Sequence, residues 1–289
     1  MTAVAPERLE QFRPISLAAL NREALLLDRM ETKYLVSATA FAGALPELSR
    51  RFRLLQIDSR IIFTYDTTYF DTPCLAAYRH HAQDRRRRFK VRSRSYVDTG
   101  DCYMEVKLKG TRGRTIKERL PYAADDHGGL TAAGQGFVDE VFRRHYGSPL
   151  DDALRPALGM RYRRLTLVGN DSAERATVDF DLRFRSADGA WQRAPSDFVI
   201  IEVKSPRGRG VADGVLRGHG QRSAPCSKYC VGLNLVRPGL PNNAFRRTLR
   251  RHFAWTPETA QGALSAPFPH LTLNSAAVAS RPDAQVAQR

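Results

Sequence analysis

Residues 88–122 read RFKVRSRSYVDTGDCYMEVKLKGTRGRTIKERLPY, and this stretch decides the architecture. It holds three runs in which polar and apolar residues alternate, the period of an extended strand. In the first run Lys90, Arg92, Arg94 and Tyr96 share one face, and Phe89 and Val91 share the other. In the second, Glu105, Lys107 and Lys109 oppose Met104, Val106 and Leu108. In the third, Thr115, Lys117 and Arg119 oppose Ile116 and Leu120. The links VDTG and GTRGR carry the turn residues that hairpins use. Three neighbouring strands therefore stack cations on one face. Like charges opposite one another repel, so the pattern needs a compensating charge, which a bound polyanion supplies.

Outward from this segment the same alternation recurs, with β-branched and aromatic enrichment, at 30–36 (METKYLV), 60–71 (RIIFTYDTTYFD), 160–168 (MRYRRLTLV), 175–185 (RATVDFDLRFR) and 198–205 (FVIIEVKS). In the run at 175–185 Arg175, Thr177, Asp179, Asp181 and Arg183 fall on one face. Helical patterns are fewer: 38–52 after a Ser37 cap, 137–146, 223–235 and 243–253. The expected class is α+β, an eight-stranded antiparallel β-barrel with flanking helices, since eight strands can close and closure removes exposed edges. Residues 1–20 read as a loose arm, 21–255 as one folded domain, and 256–289, rich in Ala, Pro, Ser and Gln, as a flexible tail.

One strand stands apart. FVIIEVKS is apolar except for Glu202 and Lys204, so it is covered on at least one face and its carboxylate points into an enclosed space. A buried charge requires a partner or a metal. Glu202 facing a cationic wall suits a divalent ion, with a salt bridge as the structural alternative. Glu105 is either a second metal ligand or a salt-bridge partner of the basic wall. Arg119 and Lys204 share faces with the other cations, as does Lys109.

The bulk numbers agree with a phosphate-rich ligand. In 289 residues, 46 Lys and Arg stand against 30 Asp and Glu, a formal net charge of +16. Such a field draws polyanions: nucleic acid, anionic membrane or small phosphates. A hydrophobic share of 42% with 26% charged residues excludes a disordered or fibrous chain. No apolar run approaches the roughly 20 residues that span a bilayer, and the N-terminus lacks the order of a signal peptide. Cys74, Cys102, Cys226 and Cys230 form no CxxC pair, as expected of reduced thiols in a cytoplasmic protein. His80 and His81 have no ligand spacing to another His or Cys, GTRGRT is not a phosphate loop, and no nucleophile elbow is present. The run Asp84-Arg85-Arg86-Arg87-Arg88 reads as a solvated loop or as a catcher of an emerging phosphate chain, and Arg246, Arg247, Arg250 and Arg251 as an exposed helical face.

The ordered series ETKY, YFDT, VRSRSY, EVKLKGTRGRTIKERL, RYRR, RATVDFD, IIEVKS and CSKYCVG, from about residue 28 to 237, resembles the VTC domain, the polyphosphate polymerase module of the triphosphate tunnel metalloenzymes. The resemblance implies a tunnel of eight antiparallel strands lined by basic residues. It assigns that lining to Lys33, Arg92, Arg94, Lys107, Lys117, Arg164, Arg175 and Lys228, with Glu202 as the metal-binding glutamate. Arg164 is the open case, because Arg161 and Arg163 sit on the opposite parity and either could face inward. Hydrolytic relatives often show ExExK on the first strand; RMETK has Arg29 in place of the first glutamate, a departure toward the polymerase branch.

The implied chemistry is transfer of the terminal phosphoryl group of ATP to a growing polyphosphate chain with Mn2+ or Mg2+. Arg forks and Lys charges would neutralise phosphoryl oxygens. Hydrolysis of an organic or inorganic triphosphate on the same scaffold, and a non-catalytic polyanion-binding module, stay open. The basic strands offer few aromatic platforms beyond Tyr96 and Tyr103, which counts against nucleic acid. The expected partners are thus ATP and polyphosphate, with no specific nucleic acid and no membrane span, and no pattern fixes an oligomeric state.

Overall fold

The computed structural model describes residue 4 and residues 6–23, 30–110, 115–186, 189–195, 197–206, 208–237 and 239–256. The expected tail is outside these residues except for Thr256, as are Arg29 and residues 111–114, where a turn is expected.

The strands are β1 (Arg13–Ile15), β2 (Met30–Ser37), β3 (Phe52–Leu55), β4 (Phe63–Asp71), β5 (Phe89–Tyr96), β6 (Asp101–Lys109), β7 (Thr115–Pro121), β8 (Arg155–Gly169), β9 (Arg175–Arg185), β10 (Trp191–Arg193) and β11 (Phe198–Ser205). The helices are α1 (Leu17–Glu23), α2 (Ala38–Arg51), α3 (Ala76–Ala82), α4 (Ala132–Tyr146), α5 (Val211–Gly218), α6 (Lys228–Val236) and α7 (Arg246–His252). Eight strands form one path, β2-β11-β9-β8-β4-β5-β6-β7, each antiparallel to its neighbours. The path is not closed by backbone hydrogen bonds between β2 and β7. Side chains bridge the gap instead: Lys107 on β6 reaches Glu31 on β2 at 3.7 Å.

The expected alternation determines which way each face turns. Met104, Val106 and Leu108 on β6 and Phe89 and Val91 on β5 are buried in a cluster with Val138, Val141 and Phe142 of α4 and Tyr229, Val231 and Leu233 of α6. A second cluster joins Val178, Phe180, Val199, Ile201 and Val203 to Phe41, Ala44, Leu45 and Leu48 of α2. Those four recur at the spacing of one helical stripe, and Ser37 caps the helix by accepting from the Ala40 amide at 3.1 Å. The apolar faces thus turn outward under helices, and the charged faces turn inward.

Two readings change here. Within the arm expected at 1–20, residues 13–20 are packed: β1 pairs in parallel with β3, and Ile15 and Leu20 are buried with Leu55, Phe63 and Val168. A three-residue strand and a seven-residue helix are too short for periodicity to reveal. On β9, Asp181 leaves the face of Asp179. The β8–β9 register shifts between Arg161 and Arg163, and Asp181 adopts a left-handed φ of 52°. Its carboxylate faces away to meet Arg163 at 3.3 Å and Arg193 at 3.2 Å. No described helix is long and apolar enough to cross a membrane.

Candidate active site

The inward faces enclose a cavity of about 460 Å3. Its described lining includes eleven Lys or Arg side chains and four carboxylates, a large excess of positive charge. Register explains the densest part. Lys90 on β5 sits directly opposite Lys107 on β6, which sits opposite Lys117 on β7. Three lysines in one cross-strand row repel. One layer along, Arg92 is opposite Glu105, and Glu105 is opposite Arg119.

Glu105 is 2% exposed and lies among these cations, 2.6 Å from Arg92, 2.5 Å from Lys117 and 3.7 Å from Arg94. Burial works against its charge, but Arg92, Arg94 and Lys117 hold the carboxyl well below the usual range. Geometrically it is the salt-bridge partner of the wall, paired with three of its cations.

The opposite wall is mixed. On β11 Glu202 lies opposite Lys33 of β2 and Thr177 of β9, while Lys204 lies opposite Glu31 and Arg175. Lys204 pairs with Glu202 at 3.0 Å, and the Lys33 ammonium donates to Glu31. Burial would raise the Glu202 carboxyl, yet Lys204, Lys33, Lys228 and Arg164 hold it well below the usual range. Burial and Glu202 both raise Glu31, and Lys107 and Lys33 outweigh them. The two carboxylates therefore share one space closely enough to oppose each other's ionisation.

The parity of Arg164 is settled by Asp179. This carboxylate is fully buried on β9 and takes a two-point contact from Arg164, at 2.5 and 2.8 Å. It also takes Lys228 at 2.5 Å. Ser227 caps α6 by accepting from the Cys230 amide at 3.3 Å, and this places Lys228 in the first helical turn, facing the cavity. Arg161 and Arg163 turn outward to Asp66 (3.2 Å) and Asp181. Tyr162 and Tyr65 stack at 5.2 Å, with the Arg164 guanidinium 4.9 Å from the Tyr65 ring. Tyr65 continues to Tyr96 (4.9 Å) and Tyr96 to Tyr103 (6.0 Å), so an aromatic ladder lines the cavity at its β5–β6 hairpin end.

Of the residues proposed from sequence, Lys33, Arg92, Arg94, Lys107, Lys117, Arg119, Arg164, Arg175, Lys204, Lys228 and Glu202 all line this cavity. Lys109 does not. It lies beyond Lys107 and lines a separate pocket with Arg86, Arg87 and Tyr146. Sequence reading missed Glu31, Lys90 and the anchoring role of Asp179, although all three lay on faces it had already assigned or in the ETKY motif.

Burial, reinforced by Arg92 and Arg94 and opposed by Glu105, pushes Lys117 down to about 8. Burial likewise lowers Lys90 and Lys107. A lysine lowered in this way is charged below its pKa and loses its charge above it. An anion that binds above about pH 8 must therefore bring a proton with it, and affinity falls by up to about tenfold per pH unit. We expect the Kd for tripolyphosphate to rise between about pH 8 and pH 10. Lys117→Arg, whose charge does not titrate in that range, should flatten the profile relative to wild type. Parallel profiles in calorimetry would exclude Lys117 as the titrating contact.

The family model for the VTC domain matches residues 28–237. No curated protein matches the chain in sequence. Solved structures with similar form include a Hippeastrum adenylyl cyclase homologue described as having a dominant triphosphatase activity, at 16% identity, TM-score 0.45, covering 70% of this chain and 94% of that one. A Bacillus halodurans protein described as an adenylate cyclase candidate matches at 13% identity, TM-score 0.45, over 69% and 94% of the two chains. Protein PH1012 of Pyrococcus horikoshii matches at 17% identity, TM-score 0.39, over 72% and 99%.

Proposed function

This chain belongs to the VTC domain family, and from that premise we propose that it is a polyphosphate polymerase, moving the terminal phosphoryl group of ATP onto a growing polyphosphate chain within the cavity. The observation that carries this reading is the row Lys90–Lys107–Lys117, continued by Arg92, Arg94, Arg164 and Lys228 around one space. A linear chain of phosphates offsets that repulsion along its whole length. The aromatic ladder at one end supports a nucleotide over a bare inorganic triphosphate, because a base stacks on such rings and a phosphate does not.

Phosphoryl transfer asks the protein for in-line positioning and charge neutralisation. The attacking group here is the terminal phosphate of the chain, an anion at neutral pH that needs no general base. Its obstacle is repulsion by the phosphates of ATP. Arg92, Arg94 and Arg164 bring guanidinium charge held in place by Glu105 and Asp179, and Lys107, Lys117 and Lys228 add compact charge. Asp179 keeps Arg164 and Lys228 fixed, so little reorganisation is needed as charge shifts onto ADP.

Glu202 and Glu31 are the residues that would hold a divalent cation. They are hard oxygen donors facing one space, and among the described residues no group of three or more His, Cys, Asp or Glu could hold a metal. Phosphate oxygens and water would supply the remaining ligands, which suits Mg2+ or Mn2+. Once bound, the ion would neutralise phosphate oxygens alongside the lysines. Four free cysteines and an ATP substrate support a cytoplasmic setting.

Incubation with ATP and Mn2+, with products resolved on a gel and ADP and phosphate measured separately, tests the reading. Long chains with matching ADP are expected. Free phosphate without chains would make the protein a hydrolase, and binding without turnover would make it a polyanion-binding module.

A further inference from the structure

The arginine run that precedes β5 has no part in the main cavity. It closes over the end of β6 and the last turn of α4, and the three enclose a second cavity of about 230 Å3 lined by Arg86, Arg87, Lys109, Gly110, His145 and Tyr146. The loop is tied in place. The Tyr146 hydroxyl donates toward the carbonyls of Lys109 (2.9 Å) and Arg88 (3.1 Å), and the Arg87 guanidinium stands 5.4 Å from the Tyr146 ring centroid. Arg88 donates to the Arg85 carbonyl at 2.8 Å and pairs with Asp84 at 2.9 Å.

Those contacts use up the acids nearby. Asp84 belongs to Arg88, and Glu118 is shared by Arg144 and His145. Among the described residues no carboxylate pairs with Arg86, Arg87 or Lys109. Three cationic residues thus line one concave surface with no carboxylate paired to them among the described residues, an arrangement that an anion stabilises. Two guanidinium forks and an ammonium suit phosphate oxygens. The last turn of α4 also carries Arg143, Arg144 and His145, which offset the negative end of the helix dipole.

The two cavities share no lining residue, yet β6 joins them. Lys107 lines the first and Lys109 the second, two residues and roughly 7 Å apart along one strand. We propose that the second cavity is a phosphate-binding subsite outside the tunnel, holding the distal part of a linear polyphosphate chain whose proximal phosphates occupy the main cavity. The proposal rests on the reading of the main cavity as a polyphosphate site. A chain long enough to reach both gains affinity through the high effective concentration of its second half; a short one does not.

The test uses the full chain and the double variant Arg86→Ser/Arg87→Ser, both positions being exposed loop residues. Tripolyphosphate and a long-chain polyphosphate are titrated separately at fixed salt. The variant is expected to keep the wild-type Kd for tripolyphosphate and to weaken long-chain binding by about tenfold. Unchanged long-chain affinity overturns the subsite, and so does an equal loss for both ligands. Two equivalents of tripolyphosphate on wild type and one on the variant, with no advantage for long chains, would mark a free-standing site for a small anion and overturn the chain-spanning role. If tripolyphosphate fails to bind wild type while the variant still loses long-chain affinity, the main-cavity reading fails and the second cavity binds polyphosphate on its own, which overturns the chain-spanning role.

Discussion

Glu202→Gln is expected to lower metal-dependent turnover by about 10²-fold or more, while tripolyphosphate still binds in the absence of metal. The substitution keeps size and hydrogen-bonding capacity and removes one negative charge. In the native protein that charge is opposed by burial and sustained by Lys204, Lys33, Lys228 and Arg164. Without it Glu31 alone faces a divalent ion, and Glu31 is already occupied by Lys33 and Lys107. Metal affinity should fall. Binding of the bare anion should hold or tighten, because the cavity becomes more positive. Turnover against metal concentration and metal-free calorimetry separate the two effects. Full activity in the variant would remove Glu202 from the account.

A second substitution should act through stability. Asp179→Asn leaves Arg164 and Lys228 side by side with no anion between them, at a position that solvent does not reach. Breaking a buried ion pair from one side costs about 3–5 kcal/mol, which lowers the melting temperature of a domain of this size by roughly 10 °C. Burial would raise the Asp179 carboxyl, but Arg164 and Lys228 hold it below the usual range. Its contribution is therefore full at neutral pH and is lost only as acid protonates it. Tripolyphosphate, by supplying charge to the same two cations, should restore more of the melting temperature in the variant than it adds to wild type. A thermal melt within about 1 °C of wild type would show that the triad does not anchor the site.

The alternation of charge made most of this legible. The strands at 175–185 and 198–205 have the bounds the pattern predicts, and the cationic faces of β5, β6 and β7 turn inward as a group. Alternation reports the face but not how far along a strand the cavity extends, so Lys109 was grouped with Lys107 and falls outside. It also fails at a bulge: Asp181 shares parity with Asp179 and leaves its face because one residue takes a left-handed φ. In RYRR three arginines compete for one inward position, and only the distant Asp179 and Lys228 decide for Arg164. Phe52 reads as the end of a helix because α2 runs to Arg51 and β3 begins with no turn between them. Glu31 shares its motif with Lys33, and only the β2–β11 register, which sets it opposite Lys204, identifies it as part of the site.

The central claim is that one cavity holds a chain of phosphates, and a crystal structure grown with tripolyphosphate and Mn2+ tests it most directly. The account predicts phosphate density along Lys90, Lys107 and Lys117, with the ion against Glu202 and Glu31. Density confined to the outer surface, or an ion bound away from both carboxylates, would contradict it.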